Sequence, residues 1–273
     1  MNSIVVSGSF DDMRSRNIRF LEEAAKLGPL HVLVWSDEAV QQLTGEIPKF
    51  TQEERIYFSE SVRFVDQVSL LNGQIDTDEI PLFDNLRPHT WAVMEADDSP
   101  QKRSFCAANQ LSYHIVPEAD LAQLPYEPLE IGEADSSQKK VIVTGCFDWL
   151  HSGHVRFFEE NSELGDLYVV LGHDENVFLL KGEGHPQFRE DERRYMAQSI
   201  RFVKQAIISS GHGWMDAEPE IALIKPDIYA VNEDGDKPEK RAFCDEHSLE
   251  YVVLKRLPKD GLPQRTSTDL RGF

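Results

Sequence analysis

Shifting the chain against itself by 137 residues sets Gly8 on Gly145, and the match runs on from there. FDDMRSRNIRFLEEAAKLG lies on FDWLHSGHVRFFEENSELG, HVLVWSDEAV on YVVLGHDENV, and LTGE on LKGE. After one residue is absorbed, FTQEERIYFSESVRFVDQV lies on FREDERRYMAQSIRFVKQA, and KRSFCAANQLSYHIV lies on KRAFCDEHSLEYVVL. A register held over that length marks a duplication, so any fold must be one that a chain of about half of 273 residues can build twice. The repeats span 1–117 and 140–273. Between them, 118–139 is rich in Pro and acid, lacks a stable period and reads as a linker, although a few of its apolar residues can pack on a domain.

Within each repeat, short apolar runs alternate with helical patterns. SIVVSG and KVIVTG read as strands buried on both faces, which parallel sheets require. NIRFLEEAAKLG and VRFFEENSELG have helical spacing and end on a glycine suited to a C-cap. HVLVW, YVVLG, QAIIS, DIYAV and YVVLK are further strands, and ERRYMAQSIRFV is an amphipathic helix that puts Arg193 and Arg201 on about one face. Strand–helix alternation predicts an α/β doubly wound parallel sheet in each repeat. Ligands then sit beyond the carboxyl ends of the strands, where GCFD and VNED both fall.

Composition narrows the partners. The formal net charge is −20, from 28 basic and 48 acidic residues. Such a chain repels nucleic acid and anionic membranes at long range, so an anionic ligand needs a local cluster of donors. No apolar run approaches a membrane span, and the N-terminus lacks the pattern of a signal peptide. Three cysteines, Cys106, Cys146 and Cys244, show no metal-ligand spacing, and a reducing cytoplasm is the expected compartment.

The reactive residues concentrate in GCFDWLHSGH, residues 145–154. His151 and His154 are about one turn apart at a helix start, so both rings can face one point. The helix N-terminus adds partial positive charge, and Gly153 lets a phosphate approach the backbone. In the first repeat Arg14, Arg16 and Asn17 stand in place of His151, Gly153 and His154, and Thr44 stands in place of Lys181. The first repeat is therefore expected to be catalytically inactive, with Arg14 and Arg16 as surface charges or holders of an anion.

This motif resembles the signature of the HxGH nucleotidyltransferase superfamily, and the resemblance covers essentially all of 140–273. The cytidylyltransferases for glycerol phosphate, choline phosphate and ethanolamine phosphate are similar, the last also being tandem duplications. The resemblance implies two tandem Rossmann-like, HUP-type domains forming an internal pseudo-dimer, with further homo-oligomers open. It implies transfer of CMP from CTP to a phosphorylated alcohol, with release of pyrophosphate and with Mg²⁺ carried by the triphosphate. ATP with a sugar phosphate or flavin mononucleotide is the alternative donor and acceptor, and a non-catalytic nucleotide sensor is a third reading.

By the same resemblance, His151, His154 and Lys181 are catalytic, and Lys181 also holds substrate. Gly145, Cys146, Phe147, Gly153, Arg201 and Asp234 bind nucleotide. So do Thr266, Ser267 and Thr268, in QRTSTDL, which is similar to a family segment that opens a helix at the β- and γ-phosphates. Arg193, Trp214, Arg256 and Arg265 fall to the substrate side. Arg193 and Arg201 have counterparts in Arg55 and Arg63, which divides their reading between phosphate contact and structure. Asp148 reads as a structural turn residue and His185 as a surface one. The tail departs from the family pattern by the extra residues PKDGLPQ and by Arg265 itself, and its final helix is expected to be very short or absent.

Overall fold

The computed structural model describes residues 3–82, 88–126, 128 and 138–270; of Thr268 and Asp269 only the backbone is described. The chain divides into two compact units, Met1–Leu124 and Pro125–Phe273. The first runs β1 (Ile4–Gly8), α1 (Ser15–Ala25), β2 (Leu30–Trp35), α2 (Asp37–Thr44), α3 (Gln52–Ser61), β3 (Gln67–Leu71), β4 (Thr90–Met94), α4 (Pro100–Ala108), β5 (Ser112–Val116) and α5 (Glu118–Leu121). The second runs β6 (Lys140–Gly145), α6 (Ser152–Ser162), β7 (Asp166–Leu171), α7 (Asp174–Lys181), α8 (Glu190–Gln198), β8 (Gln205–Ile208), α9 (Glu218–Ile224), β9 (Ile228–Asn232), α10 (Pro238–His247), β10 (Glu250–Leu254) and α11 (Ser267–Leu270).

Each unit is a parallel five-stranded sheet wound in both directions from its first strand. The orders are β3-β2-β1-β4-β5 and β8-β7-β6-β9-β10. This is the Rossmann-like α/β architecture that the alternation predicts. The first strand of each unit lies centrally and pairs on both sides, Val5 with His31 and Trp91, and Ile142 with Tyr168 and Tyr229. A central strand needs apolar residues on both faces, which is why IVV and VIV are wholly buried. One face of the second sheet packs Ile142, Val170 and Val231 against Ile221 and Phe243; the first packs Val5, Leu33 and Val93 around Trp91 and Cys106.

Local signals start and stop the helices. Ser36 caps α2 by accepting the Ala39 N–H, and Thr51 and Glu54 form a reciprocal capping box on α3. Gly45 ends α2 in the left-handed conformation.

Two sequence expectations change here. α8 ends at Gln198, so Arg201 lies in the following turn and is exposed, while Arg193 is buried on the helix. Their spacing of eight does not place them on one face. The segment read as a linker begins as α5, whose Leu121 is buried and whose Asp120 carbonyl accepts from Arg19 on α1. Pro125 and Pro128 offer carbonyls to Arg194 and Gln205 of the second unit, and residues 127 and 129–137 lie outside the described residues.

Candidate active site at the head of the sixth helix

The site begins where β6 ends. Phe147 holds a left-handed backbone, φ 49°, which costs a non-glycine residue free energy and folds its ring back over Gly145. A Cβ at Gly145 would meet that ring at 2.8 Å, so only glycine fits. The Phe147 ring then packs on Phe158 at 5.0 Å and edge-on to His154 at 5.3 Å. Asp148 is buried and accepts the N–H groups of Gln187 (2.7 Å) and Phe188 (3.0 Å), clamping the loop that leads into α8. That is the structural role its sequence context suggests. His185, read as a surface residue, instead lies 3.4 Å from the Asp148 carboxylate.

The two histidines converge. Their ring centroids are 4.0 Å apart, with the planes 33° from parallel. His151 is the N-cap of α6 and is buried; its Nδ1 accepts the Gly153 N–H at 3.1 Å. An accepting Nδ1 assigns the proton of the neutral ring to Nε2, making that nitrogen a donor. A Cβ at Gly153 would meet the His151 ring at 3.0–3.1 Å, tighter than side chains usually pack, so glycine leaves that ring its place. The glycine thus makes room for the imidazole as much as for a ligand.

His154 is partly exposed as a residue, yet its Nδ1 is covered and has no hydrogen-bond partner among the described residues. A buried polar atom in that state is one that a water or a ligand would satisfy. Burial is the main force holding the His154 pKa well below its ordinary 6.5; His151, Arg256 and Lys181 add to it, and a hydrogen bond with the Trp149 backbone opposes them. At neutral pH the ring is uncharged. Groups from three separate elements therefore bear on one imidazole.

Lys181, the last residue of α7, is exposed and reaches toward Cys146. Burial raises the Cys146 thiol, with Lys181 and Arg193 pulling the other way. The thiol stays protonated at neutral pH and is no nucleophile. Arg256 follows β10, pairs with Asp234 and donates to the Arg265 carbonyl at 3.3 Å. Gly153, Asn232, Lys255, Arg256 and Arg265 line a small cavity of about 20 Å³. Asn232 and Lys255 did not stand out from the sequence. Asn232 has a buried Oδ1 without a partner among the described residues, and a polar residue ending a buried strand is the signal that could have found it.

Thr266 and Ser267 stand at the start of α11, a helix of four residues, and the Thr268 side chain lies outside the described residues. Trp214 is 53% exposed on a short 3-10 turn, which excludes a core role for it.

Arg193 requires a correction. Read as a substrate residue, it is 1% exposed and donates to the carbonyls of Phe188, Cys146 and Gly172 and to Asp174, at 2.8–2.9 Å throughout. All of its donor groups are directed inward, where they tie β6, β7 and α7 together. Arg55 does the same in the first unit, donating to Phe50, Ser9 and Asp37.

Among the described residues, no three His, Cys, Asp or Glu side chains are grouped to hold a metal ion. No helix among them is long and apolar enough to cross a membrane.

Residues 142–252 match the family described as cytidylyltransferase-like. The chain is 36% identical over 136 residues to the FAD synthase of Aciduliprofundum boonei, covering 49% of this chain and 84% of that one. It is 39% identical over 97 residues to the FAD synthase of Ferroglobus placidus, covering 35% and 60%. To the bifunctional protein HldE of Campylobacter concisus it is 38% identical over 110 residues, covering 40% and 23%. The chain thus spans only about a quarter of HldE and three fifths of the Ferroglobus protein. A solved lipopolysaccharide core biosynthesis protein from Thermoplasma volcanium is 27% identical, with a TM-score of 0.38, over 44% of this chain and 99% of that one. With 84% of an FAD synthase covered at 36% identity, the chain belongs to the cytidylyltransferase-like family of nucleotidyltransferases.

Proposed function

We propose that the second unit transfers a nucleotidyl group from a nucleoside triphosphate to a phosphorylated small molecule. A phosphate oxygen of the acceptor attacks the α-phosphorus, a new P–O bond forms, and the bond to the β-phosphate oxygen breaks to release pyrophosphate. The observation that carries this reading is the histidine pair: two rings 4.0 Å apart at the head of α6, with Lys181 and Arg256 acting on the same imidazole. Such a transfer asks the protein chiefly to position the reactants and to stabilise charge growing on the phosphoryl oxygens. His151 Nε2–H, Lys181 and Arg256 are donors suited to those oxygens. His154, held neutral, fits the site as a hydrogen-bonding group rather than a charge. Magnesium would enter with the triphosphate, since the described side chains offer no cage for it.

Two readings of the donor rest on separate observations. CTP with a phosphorylated alcohol follows from the family's cytidylyltransferase character, and the exposed Trp214 is available to an acceptor pocket. ATP with flavin mononucleotide follows from relatives named FAD synthase, since that product joins an AMP unit to the flavin phosphate. Three cysteines with no disulfide fit a reducing, cytoplasmic setting.

The test is pyrophosphate release by the full chain, with CTP or ATP against flavin mononucleotide, phosphorylated alcohols and sugar phosphates. Release that needs both a triphosphate and one acceptor, and that collapses in His151→Ala, is the expected result. Nucleotide binding without release for any pair would leave the sensor reading in its place.

A further inference from the structure

The first unit lacks the histidine pair at its helix head but has a hollow of its own. At the carboxyl ends of β1, β2 and β4 lies a cavity of about 430 Å³, within the range of small-molecule sites. Its walls include Trp35, Trp91 and Phe20, with Ser9, Asn17 and Thr77 contributing hydroxyl and amide groups. The aromatic walls are fixed. Trp35 donates its indole N–H to Ser7 Oγ at 2.7 Å, and Trp91 is wedged edge-on between Phe105 and Tyr113 at 6.0 and 6.2 Å.

The charged residues that line the cavity are Asp97, an anion that would repel a phosphate, and Lys102, and the cations nearby in the fold are paired. Arg14 pairs with Asp12 at 2.6 Å, and Arg16 is held by Glu118 and the Met94 sulfur. Lys102 donates to the Asp97 carbonyl at 2.8 Å and lies 3.5 Å from Asp78. Asn17 turns its side chain onto the Arg14 backbone in a capping box that closes the head of α1. A phosphate would find the cations paired and the helix head blocked, in a chain of net charge −20. A flat, uncharged heterocycle would find the half-buried Trp35, a lining that includes the buried Trp91 and Phe20, and hydroxyl and amide groups beside the Asp97 carboxylate.

We infer that the first unit binds a nucleoside-sized, uncharged heteroaromatic molecule in this cavity, one that carries no phosphate. The inference does not depend on the proposed catalysis by the second unit, because the residues that form the cavity all lie in the first.

Calorimetry and ligand-observed NMR on the full chain, with adenosine and cytidine as probes and AMP and CMP as their phosphorylated counterparts, test it. At least one nucleoside should bind, and its 5′-phosphate should weaken that binding. Trp35→Ala should weaken it about tenfold or more, the scale of a lost aromatic–base stack. Thr77→Trp fills the cavity from an exposed position and should abolish binding with the unfolding midpoint unchanged, which guards against Trp35→Ala acting through misfolding. His154→Ala, in the other unit, should leave this binding intact. Absence of nucleoside binding, binding lost with His154→Ala but kept with Thr77→Trp, or tighter binding of the monophosphates at this site would each overturn the inference.

Discussion

The two units solve the same folding problem with the same devices and differ at the few positions where chemistry would occur. Phe10 and Phe147 both sit at φ 49°. Asp11 accepts the N–H groups of Lys49 and Phe50 just as Asp148 accepts those of Gln187 and Phe188. Asp98 binds Arg103 and Tyr113; Asp236 binds Arg241 and Tyr251. Against that sameness, the head of α1 carries Arg14, Arg16 and Asn17, and the head of α6 carries His151, Gly153 and His154. The scaffold's interactions do not pass through the histidines. A helix head can therefore differ in all three positions while the sheet, clamp and brace stay alike, because none of them uses those side chains.

The buried brace gives the largest expected effect, and it should fail to separate the units. Arg193→Met or Arg55→Met leaves several inward carbonyls and a carboxylate without their donor. Breaking one partner of a buried pair costs about 3–5 kcal/mol. Denaturant unfolding should show losses of this size for both variants. An Arg193→Met protein of normal stability with a raised KM would return that residue to the substrate side.

The histidines should separate the units sharply. His151→Ala or His154→Ala is expected to lower turnover by about 10²–10³, the scale of removing one transition-state donor. Nucleotide affinity should change little, and Asn17→Ala should leave turnover as it is. Equal losses from Asn17→Ala and His154→Ala would mean that the first unit takes part in the chemistry. Importing the first unit's residue as Gly153→Arg should cost at least about tenfold in pyrophosphate release, because a Cβ there sits 3.0–3.1 Å from the His151 ring, which would have to give way, and the long side chain adds bulk at the helix head. Gly153→Ala then grades the effect: a fully active alanine variant would show that the ring has room to move.

The internal repeat made the doubly wound sheets legible, since strand burial and helix caps leave marks within a few residues of each other. The convergence of His151 and His154 was legible for the same reason: both belong to one helical turn. What the sequence could not reveal was tertiary. Arg193 looked like a phosphate ligand because a guanidinium suits one, and its inward direction depends on three carbonyls, 5, 21 and 47 residues away. Arg201 left the helical face because α8 stops at Gln198, and no glycine or proline follows to mark the end. Asn232 and Lys255 join the site only when β9 and β10 pair beside β6. The pairing in the first unit of Arg16 with Glu118, 102 residues away, is of the same kind.

The smallest effect tests the electrostatics of the comparison. Each unit buries a histidine whose pKa is lowered mainly by desolvation, His31 in the first and His154 in the second. The unfolded chain takes up a proton near 6.5 while the folded units do not until lower pH. Stability contributed by the neutral rings is therefore full above about pH 6.5 and declines as pH falls toward the folded pKa values. His31→Gln should blunt that acid decline in the first unit and His154→Gln in the second, seen as a smaller drop in unfolding midpoint between pH 7 and 5. Only His154 should also matter for turnover. Since its ring in the free protein stays neutral well below 6.5, kcat/KM should show no limb from this residue between pH 8 and 6.5. NMR titration of the free protein should find the His154 ring unprotonated at pH 6. A kcat/KM limb at 6.5 or above that vanishes in His154→Gln would mean the imidazole works as a cation, and that its burial against Phe147 does not set its charge.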